Sequence, residues 1–87
     1  MPRPEIHAQG GVLQELLKEI RREASLTQVE LAAVLEQSQS FVSKYESGER
    51  ILDILEVRFF CERLGITLLE FCRRFEEKLA REEGTPS

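Results

Sequence analysis

Five polar residues share one side of a short segment in the middle of the chain. At about 100° per residue of an α-helix, one arc of this segment holds Gln39, Ser40, Ser43, Lys44 and Ser47. Amide and ammonium groups can form hydrogen bonds with base edges, since glutamine matches adenine and lysine matches guanine. Small or flexible polar groups also allow a helix to enter the major groove without steric conflict. The chemistry expected of this arc is therefore hydrogen bonding to bases.

The opposite arc of the same segment is mainly apolar. It holds Phe41, Val42, Tyr45 and Glu46. The first three can pack onto a core. Glu46 differs because an unpaired carboxylate is costly to bury, so it requires a partner elsewhere in the chain.

Two short helices joined by a tight turn present the polar arc. Thr27 and Glu30 stand in the Thr-x-x-Glu order of a capping box, which places helix two at about 28–35. Ser38 is a suitable N-cap for helix three at about 39–47. Two such helices, with a polar outer side on the second, are typical of a helix-turn-helix.

Three further helices complete an all-α prediction. Apolar residues recur at helical spacing over about 12–24, 52–64 and 67–83, which predicts helices one, four and five. No segment alternates with the two-residue period of a strand. We expect five helices, with a flexible leader at 1–10 and a flexible tail at 84–87.

Length and charge fit one small folded domain. The 87 residues, of which 41% are hydrophobic, favour a single core over 11–83. The formal net charge of −4 argues against a protein that coats polyanions by bulk charge. Residues 25–50, which include the polar arc, carry two basic and four acidic side chains. If the protein binds DNA, we therefore expect weak non-specific binding, few phosphate contacts and a shallow salt dependence.

Signals for catalysis, metal binding and membrane insertion are weak. His7 is the only histidine, and Cys61 and Cys72 form neither a CxxC pair nor a zinc pattern. We therefore predict no enzyme, no metal and no cofactor. No apolar stretch resembles a signal peptide or a membrane span, so we expect a cytoplasmic protein. The cysteines are expected to act as small apolar residues, with redox sensing as the alternative.

The central part of the chain resembles the lambda-repressor/Cro-like (XRE) helix-turn-helix family. The resemblance is carried by the segment LTQVELAAVLEQSQSFVSKYESGER. The matching motifs are Leu26-Thr27-Gln28, Glu30-Leu31-Ala32, Ser38-Gln39-Ser40, Val42-Ser43-Lys44, Glu46-x-Gly48 and Leu64-Gly65. The resemblance covers Leu13 to about Leu69. It implies a five-helix lambda-repressor-like bundle in which helices two and three form the helix-turn-helix and helix three is the recognition helix.

The resemblance also implies roles for individual side chains. Base edges would be contacted by Gln39, Ser40, Ser43 and Lys44. Phosphates would be held by Gln28, Ser47 and Arg50. Gln28 is favoured in this role because it stands at a helix N-terminus, which attracts anions. The family pairs the glutamate at position 46 with an arginine near the end of helix one, so Arg21 and Glu46 would form a partly buried structural ion pair.

The turn between helices two and three departs from the family pattern. Glu36 stands where the family usually has glycine, and a left-handed backbone there is strained for a residue with a Cβ. Gln37 follows where an apolar residue is common, which removes one small core contact. Neither change touches the polar arc.

The last predicted helix carries an apolar stripe that extends beyond a minimal DNA-binding module. A homodimer interface is predicted from Phe71, Phe75 and Leu79 of the segment 67–83, together with Phe60. Two recognition helices about 34 Å apart would then match a pseudo-palindromic site. Packing of Phe71 onto the core of its own chain remains the alternative.

The function predicted from these observations is a homodimeric, sequence-specific transcriptional regulator of double-stranded DNA. No sensor domain is recognised, so we expect an autoregulatory protein similar to a restriction-modification controller. One alternative is an antitoxin that binds a toxin protein and autoregulates its operon. Another is a protein-interaction module that has lost DNA binding. A repressor is predicted, with activation as the alternative.

Overall fold

Five helices make up the part of the chain that the structure describes. The computed structural model describes the backbone of residues 4–83 and the side chains of residues 11–82. The helices are α1 (Pro4–Glu23), α2 (Gln28–Leu35), α3 (Gln39–Ser47), α4 (Ile54–Leu64) and α5 (Leu68–Glu83). No strand occurs among the described residues, and the predicted all-α, five-helix class is confirmed. None of these helices is long and apolar enough to cross a lipid bilayer.

Side-chain caps set the starts of the two short helices. At α2, Glu30 N donates to Thr27 Oγ1 at 3.1 Å, and Thr27 N donates to Glu30 Oε1 at 2.9 Å. At α3, Phe41 N donates to Ser38 Oγ at 3.1 Å. Each cap satisfies backbone N–H groups that have no partner within the helix. Both helices therefore start and end at the residues that the sequence predicts.

The first helix begins earlier than predicted. The predicted start near residue 12 is wrong, because α1 begins at Pro4 and continues through Gly10 and Gly11. A proline fits the first turn because its missing N–H would have no partner there. A glycine inside a helix costs only about 1 kcal/mol relative to alanine, so two glycines need not end it.

The two predicted terminal segments are described to different extents. The leader predicted at 1–10 overlaps α1 from Pro4 onward, whereas residues 1–3 lie outside the described residues. The tail predicted at 84–87 also lies outside them.

One apolar core lies between the helices. Its largest fully buried side chains are Tyr45, Phe60, Leu16, Leu17, Leu31, Val42 and Cys61. Phe60 is 1% exposed and Phe71 is 4% exposed, so both rings fill the core of their own chain. Burial leaves each ring little surface of its own for a second chain, and the dimer interface predicted from Phe60 and Phe71 stays a prediction.

The turn between α2 and α3 contains a left-handed glutamate. Glu36 has φ 58° and ψ 40°, a conformation that costs a residue with a Cβ about 1–2 kcal/mol. Its backbone N–H donates to the carbonyls of Ala32 and Ala33 and so closes α2. Its exposed carboxylate forms an ion pair with Arg63 of α4.

Charged side chains connect α1 to α5. Lys78 is only 8% exposed, and its Nζ lies 2.7 Å from Glu19 and 3.5 Å from Glu15. The hydrogen bond to Glu19 is the main reason that the pKa of Lys78 is raised. Arg74 donates to both carboxylate oxygens of Glu23 at 2.8 and 3.0 Å. These pairs hold α5 along α1.

Candidate nucleic-acid interface

The outer side of α3 is a row of polar side chains. The buried arc of the helix consists of Val42, Tyr45 and Glu46, each at most 5% exposed. The exposed arc consists of Gln39, Ser40, Lys44 and Ser47, with Ser43 half-buried at its edge. The structure thus brings the four residues predicted to contact bases to one face of the protein.

An ion pair lies directly behind this face. Arg21 Nε of α1 donates to Glu46 Oε2 at 2.7 Å, and Arg21 Nη2 donates to Glu46 Oε1 at 3.1 Å. Arg21 Nη1 donates to the carbonyl of Leu26 at 2.7 Å. The hydrogen bond with Glu46 raises the pKa of Arg21. The buried carboxylate therefore has the partner that its position requires.

Gln28 joins this ion pair to the exposed arc of α3. Its Nε2 donates to Glu46 Oε1 at 3.0 Å, and its Oε1 accepts from Gln39 Nε2 at 2.8 Å. The family resemblance assigns Gln28 to phosphate, and only one N–H of its amide is left for that contact. Sequence reasoning missed this link because its partners are 11 and 18 residues away, too far for a local pattern to reveal.

A polar depression beside α3 includes Lys18, a cation to which the sequence analysis gave no role. The depression has a volume of about 200 Å³ and is lined by Lys18, Arg21, Arg22, Gln28, Ser43, Glu46 and Ser47. Lys18 and Arg22 are four residues apart on α1, so their side chains are neighbours on one helix face. That spacing is the sequence signal that could have identified Lys18.

Arg50, which follows α3, is held by two neighbouring side chains. It forms an ion pair with Glu56 of α4, and its guanidinium carbon lies 4.9 Å from the centroid of the Phe41 ring. Glu56 also accepts a hydrogen bond from Asp53 N in the capping box of α4. Arg50 remains exposed, so the contacts position the guanidinium while its other donors face solvent.

Lys44 and Ser47 share the last turn of α3. Ser47 Oγ donates to the carbonyl of Lys44 at 3.1 Å. A phosphate can only accept a hydrogen bond, so the phosphate contact predicted for Ser47 requires its hydroxyl to rotate away from this carbonyl. The side chain of Lys44 is exposed beside it.

The two cysteines have different surroundings. Cys61 is fully buried, and burial raises its pKa to about 11, which makes the thiol unreactive. Cys72 is exposed, so the expectation of a packed apolar residue holds for Cys61 and is wrong for Cys72. Within residues 11–82, no group of three His, Cys, Asp or Glu side chains is arranged to hold a metal ion.

Comparison with known proteins decides the family. The profile of the helix-turn-helix family HTH_3 matches residues 17–71, which contain all of α2, α3 and α4. The chain belongs to the helix-turn-helix family. An XRE-family like protein from Pseudomonas syringae pv. tomato str. DC3000 is 43% identical, with a TM-score of 0.72 over 80% of this chain and 85% of that chain. The resemblance found in the sequence is thereby confirmed.

Two more distant structures share the helix-turn-helix fold. The wild-type restriction-modification controller protein C.Esp1396I is 21% identical, with a TM-score of 0.75 over 82% of this chain and 91% of that chain. The clp gene regulator ClgR from Corynebacterium glutamicum is also 21% identical, with a TM-score of 0.71 over 83% of this chain and 92% of that chain. No match was found among curated protein sequences. Family membership supports a DNA-binding regulator of transcription and not an enzyme.

Proposed function

We propose that the protein binds double-stranded DNA in a sequence-specific manner, with α3 in the major groove. The observation that carries this proposal is the exposed polar arc of α3. The buried ion pair of Arg21 and Glu46 lies directly behind this arc. The major groove is about 12 Å wide and admits an α-helix. A rigid helix with hydrogen-bonding groups on its outer side is suited to that position.

The exposed arc provides two side chains with strong base preferences. Gln39 can make paired hydrogen bonds to adenine, and Lys44 can donate to guanine O6 and N7. Ser40 and Ser43 can contact any base as donor or acceptor, so they add affinity with less selectivity. Sequence preference in this proposal therefore comes mainly from Gln39 and Lys44.

Phosphates on the two flanks of the groove would position α3. On one side, Lys18 and Arg22 border the polar depression that also contains Gln28 and Ser47. Arg50 stands beyond the end of α3, where Glu56 holds it. Phosphate contacts of this kind set the register of a protein on DNA without reading its sequence.

The proposal is tested by selecting bound sequences from random duplex DNA with purified protein at two salt concentrations. We expect enrichment of a two-fold symmetric motif at both concentrations. Recovery of random sequences at both concentrations would contradict sequence-specific binding. Enrichment of a single half-site would support DNA reading by α3 but contradict a dimer.

We infer that the protein acts as a homodimer through the apolar surface of α4. This surface consists of Ile54, Leu55 and Phe59 of α4, which are 60%, 74% and 39% exposed, and of Ile51, which precedes α4 and is 56% exposed. Two apolar depressions flank this surface. Leu55 lines the one of about 210 Å³, and Ile54 lines the one of about 280 Å³. A second copy would place its protruding side chains in these depressions, as an isologous interface requires.

The dimer interface that we propose also includes Phe75 and Leu79 of α5, which are half-buried. Phe75 lines the larger depression together with Ile54, so it is continuous with the apolar surface of α4. Phe60 and Phe71 are almost fully buried, but they line the smaller and the larger depression, respectively. A side chain of a second copy in either depression would therefore contact them. The dimeric fraction increases with protein concentration. Occupancy of DNA would then depend on how much of the protein is present, so autoregulation belongs to the same proposal.

The dimer surface is tested with two substitutions of exposed apolar residues. One residue lies on the proposed surface, and the other lies on α2 and serves as a control. We expect Leu55→Asp to give a monomeric mass in sedimentation equilibrium at about 20 μM, while the wild-type protein gives a dimeric mass. Val29→Asp is the matched control, since Val29 is 65% exposed on α2. A monomeric wild-type protein at this concentration would contradict the proposal.

A further inference from the structure

We propose that Glu56 is a positioning residue through which dimerisation and DNA binding strengthen each other. Glu56 holds Arg50 for its phosphate contact, and an apolar side chain of a second copy of the chain completes the site around Glu56. The coupling rests on the proposed function, namely DNA binding by a homodimer that associates through α4. It adds the residue by which one event affects the other.

Arg50 connects α3 to α4 through three contacts. Its backbone N–H donates to the carbonyl of Lys44 at 3.2 Å, and its guanidinium carbon lies 4.9 Å from the centroid of the Phe41 ring. Both partners belong to α3. The third contact is the ion pair with Glu56 of α4. Arg50 therefore links the proposed recognition helix to the helix that carries most of the proposed dimer surface.

The carboxylate of Glu56 is held on its other side by the cap of α4. Glu56 Oε1 accepts from Asp53 N at 2.9 Å, and Glu56 N donates to Asp53 Oδ1 at 2.8 Å. One carboxylate oxygen thus serves the cap, and the other binds Arg50. A guanidinium has five N–H donors, so Arg50 can keep Glu56 and still donate to a phosphate.

The smaller apolar depression brings this ion pair next to the proposed dimer surface. Phe41 and Glu56, the two side chains that hold the Arg50 guanidinium, both line it. Leu55 and Phe59 of the dimer surface line it as well. Leu55 of a second copy, which is 74% exposed in each chain, is the occupant that we assign to this depression. In that position it contacts Glu56 and Phe41.

An occupied depression changes the strength of the ion pair. In the single chain the side chain of Glu56 is 29% exposed and that of Arg50 is 42% exposed, so water screens their attraction. An apolar side chain beside Glu56 removes water and lowers the local dielectric constant, which strengthens the attraction. Arg50 is then held more firmly, and it loses less conformational freedom when it binds a phosphate.

Thermodynamic linkage makes this effect reciprocal. If dimerisation raises the affinity for DNA, DNA must raise the affinity of the two copies for each other by the same factor. A short duplex that carries one half-site detects this factor, because it cannot bridge two copies by itself. Any tightening of the dimer by such a duplex must pass through the protein.

The test uses Glu56→Gln, which keeps the size of the side chain and an acceptor for Asp53 N but removes the charge that holds Arg50. The dimer dissociation constant is measured by sedimentation equilibrium without DNA and with a saturating half-site duplex from the selected motif. We expect the duplex to tighten the wild-type dimer about fivefold more than the Glu56→Gln dimer. A role limited to stability would lower Tm and leave this ratio unchanged.

Two further variants serve as control and as an independent test. Glu62→Gln removes another carboxylate of α4, which is 54% exposed and paired with Arg58, and should keep the wild-type tightening. Arg50→Met removes the same ion pair from its other side and leaves the cap of α4 in place. It should lose the extra tightening, so the coupling is tested even if Glu56→Gln is less stable. Repulsion between two duplexes on one dimer is equal in all these proteins and cancels in the comparison.

The outcomes separate the coupling from the proposed function. Equal tightening in the wild-type protein, Glu56→Gln and Arg50→Met would overturn the coupling and leave DNA binding and the dimer in place. A wild-type protein that stays monomeric, or that binds the half-site no better than a scrambled duplex, would contradict the proposed function and the coupling together. Loss of the extra tightening in Glu56→Gln and Arg50→Met, with wild-type behaviour in Glu62→Gln, supports the coupling.

Discussion

Glu36 carries a backbone conformation that usually belongs to glycine. Its φ of 58° raises the energy of the folded chain, and its ion pair with Arg63 is exposed to solvent on both sides, so that pair contributes little. We expect Glu36→Gly to be more stable than Glu36→Ala by about 0.5–1 kcal/mol. Both variants lose the ion pair equally, so the difference isolates the effect of the Cβ. Urea unfolding of the two variants measures it, and a Glu36→Ala variant more stable than Glu36→Gly would show that the turn is not strained.

The family pattern predicted some side-chain features of the site and missed others. The family pattern identified Glu36 and the pair of Arg21 and Glu46, because each occupies a fixed place in that pattern. It did not reveal that Gln28 binds both Glu46 and Gln39. That link depends on the orientation of three side chains from two helices, which no spacing along the chain encodes.

At the scale of helices, local signals predicted α2 and α3 well and α4 less well. The caps of α2 and α3 act over three residues, so they are visible in the sequence. In α4, apolar residues occupy two faces, and periodicity does not indicate which of them is buried. Phe60 faces the core, whereas Leu55 and Phe59 are exposed. The predicted start of α1 failed for a related reason, since residues 1–10 lack the apolar periodicity from which the helices were predicted.

The contact between α1 and α5 predicts a dependence of stability on pH. The hydrogen bond from Arg74 lowers the pKa of Glu23 below its ordinary value of 4.5. The stabilisation is therefore complete above about pH 4.5 and is lost as the pH falls through the lower pKa of the folded protein. Arg74→Met should lower the free energy of unfolding by about 0.5 kcal/mol at pH 7 and by less at pH 3.

Urea unfolding at pH 7, 4.5 and 3 measures this dependence. Arg81→Met, which changes an exposed arginine on the same helix, serves as the control and should change stability equally at all three values. An Arg74→Met effect as large at pH 3 as at pH 7 would mean that packing, not the ion pair, accounts for the contribution of Arg74.

For the whole molecule, the net charge of −4 and the placement of charges predict how DNA binding responds to salt. Part of the negative charge is engaged within the protein, since Glu46 pairs with Arg21 and Glu30 caps α2. In the proposed dimer, each subunit would contact phosphates with three cations, Lys18, Arg22 and Arg50. A dimer with six such contacts should give a slope of roughly −5 for log K against log salt. Fluorescence anisotropy between 50 and 300 mM salt measures the slope, and a value near −10 would show that many more cations reach DNA.

In the proposed function, the outer side of α3 reads DNA sequence. The most direct test is the ratio of affinities for the selected motif and for a scrambled duplex of equal length, measured for the wild-type protein and for Gln39→Ala/Lys44→Ala. We predict that the double variant lowers this ratio at least about tenfold while its Tm and dimeric mass are unchanged. Arg81→Ala, on the exposed side of α5, should keep the wild-type ratio. An unchanged ratio in the double variant would contradict the account, because it would mean that α3 does not distinguish one DNA sequence from another.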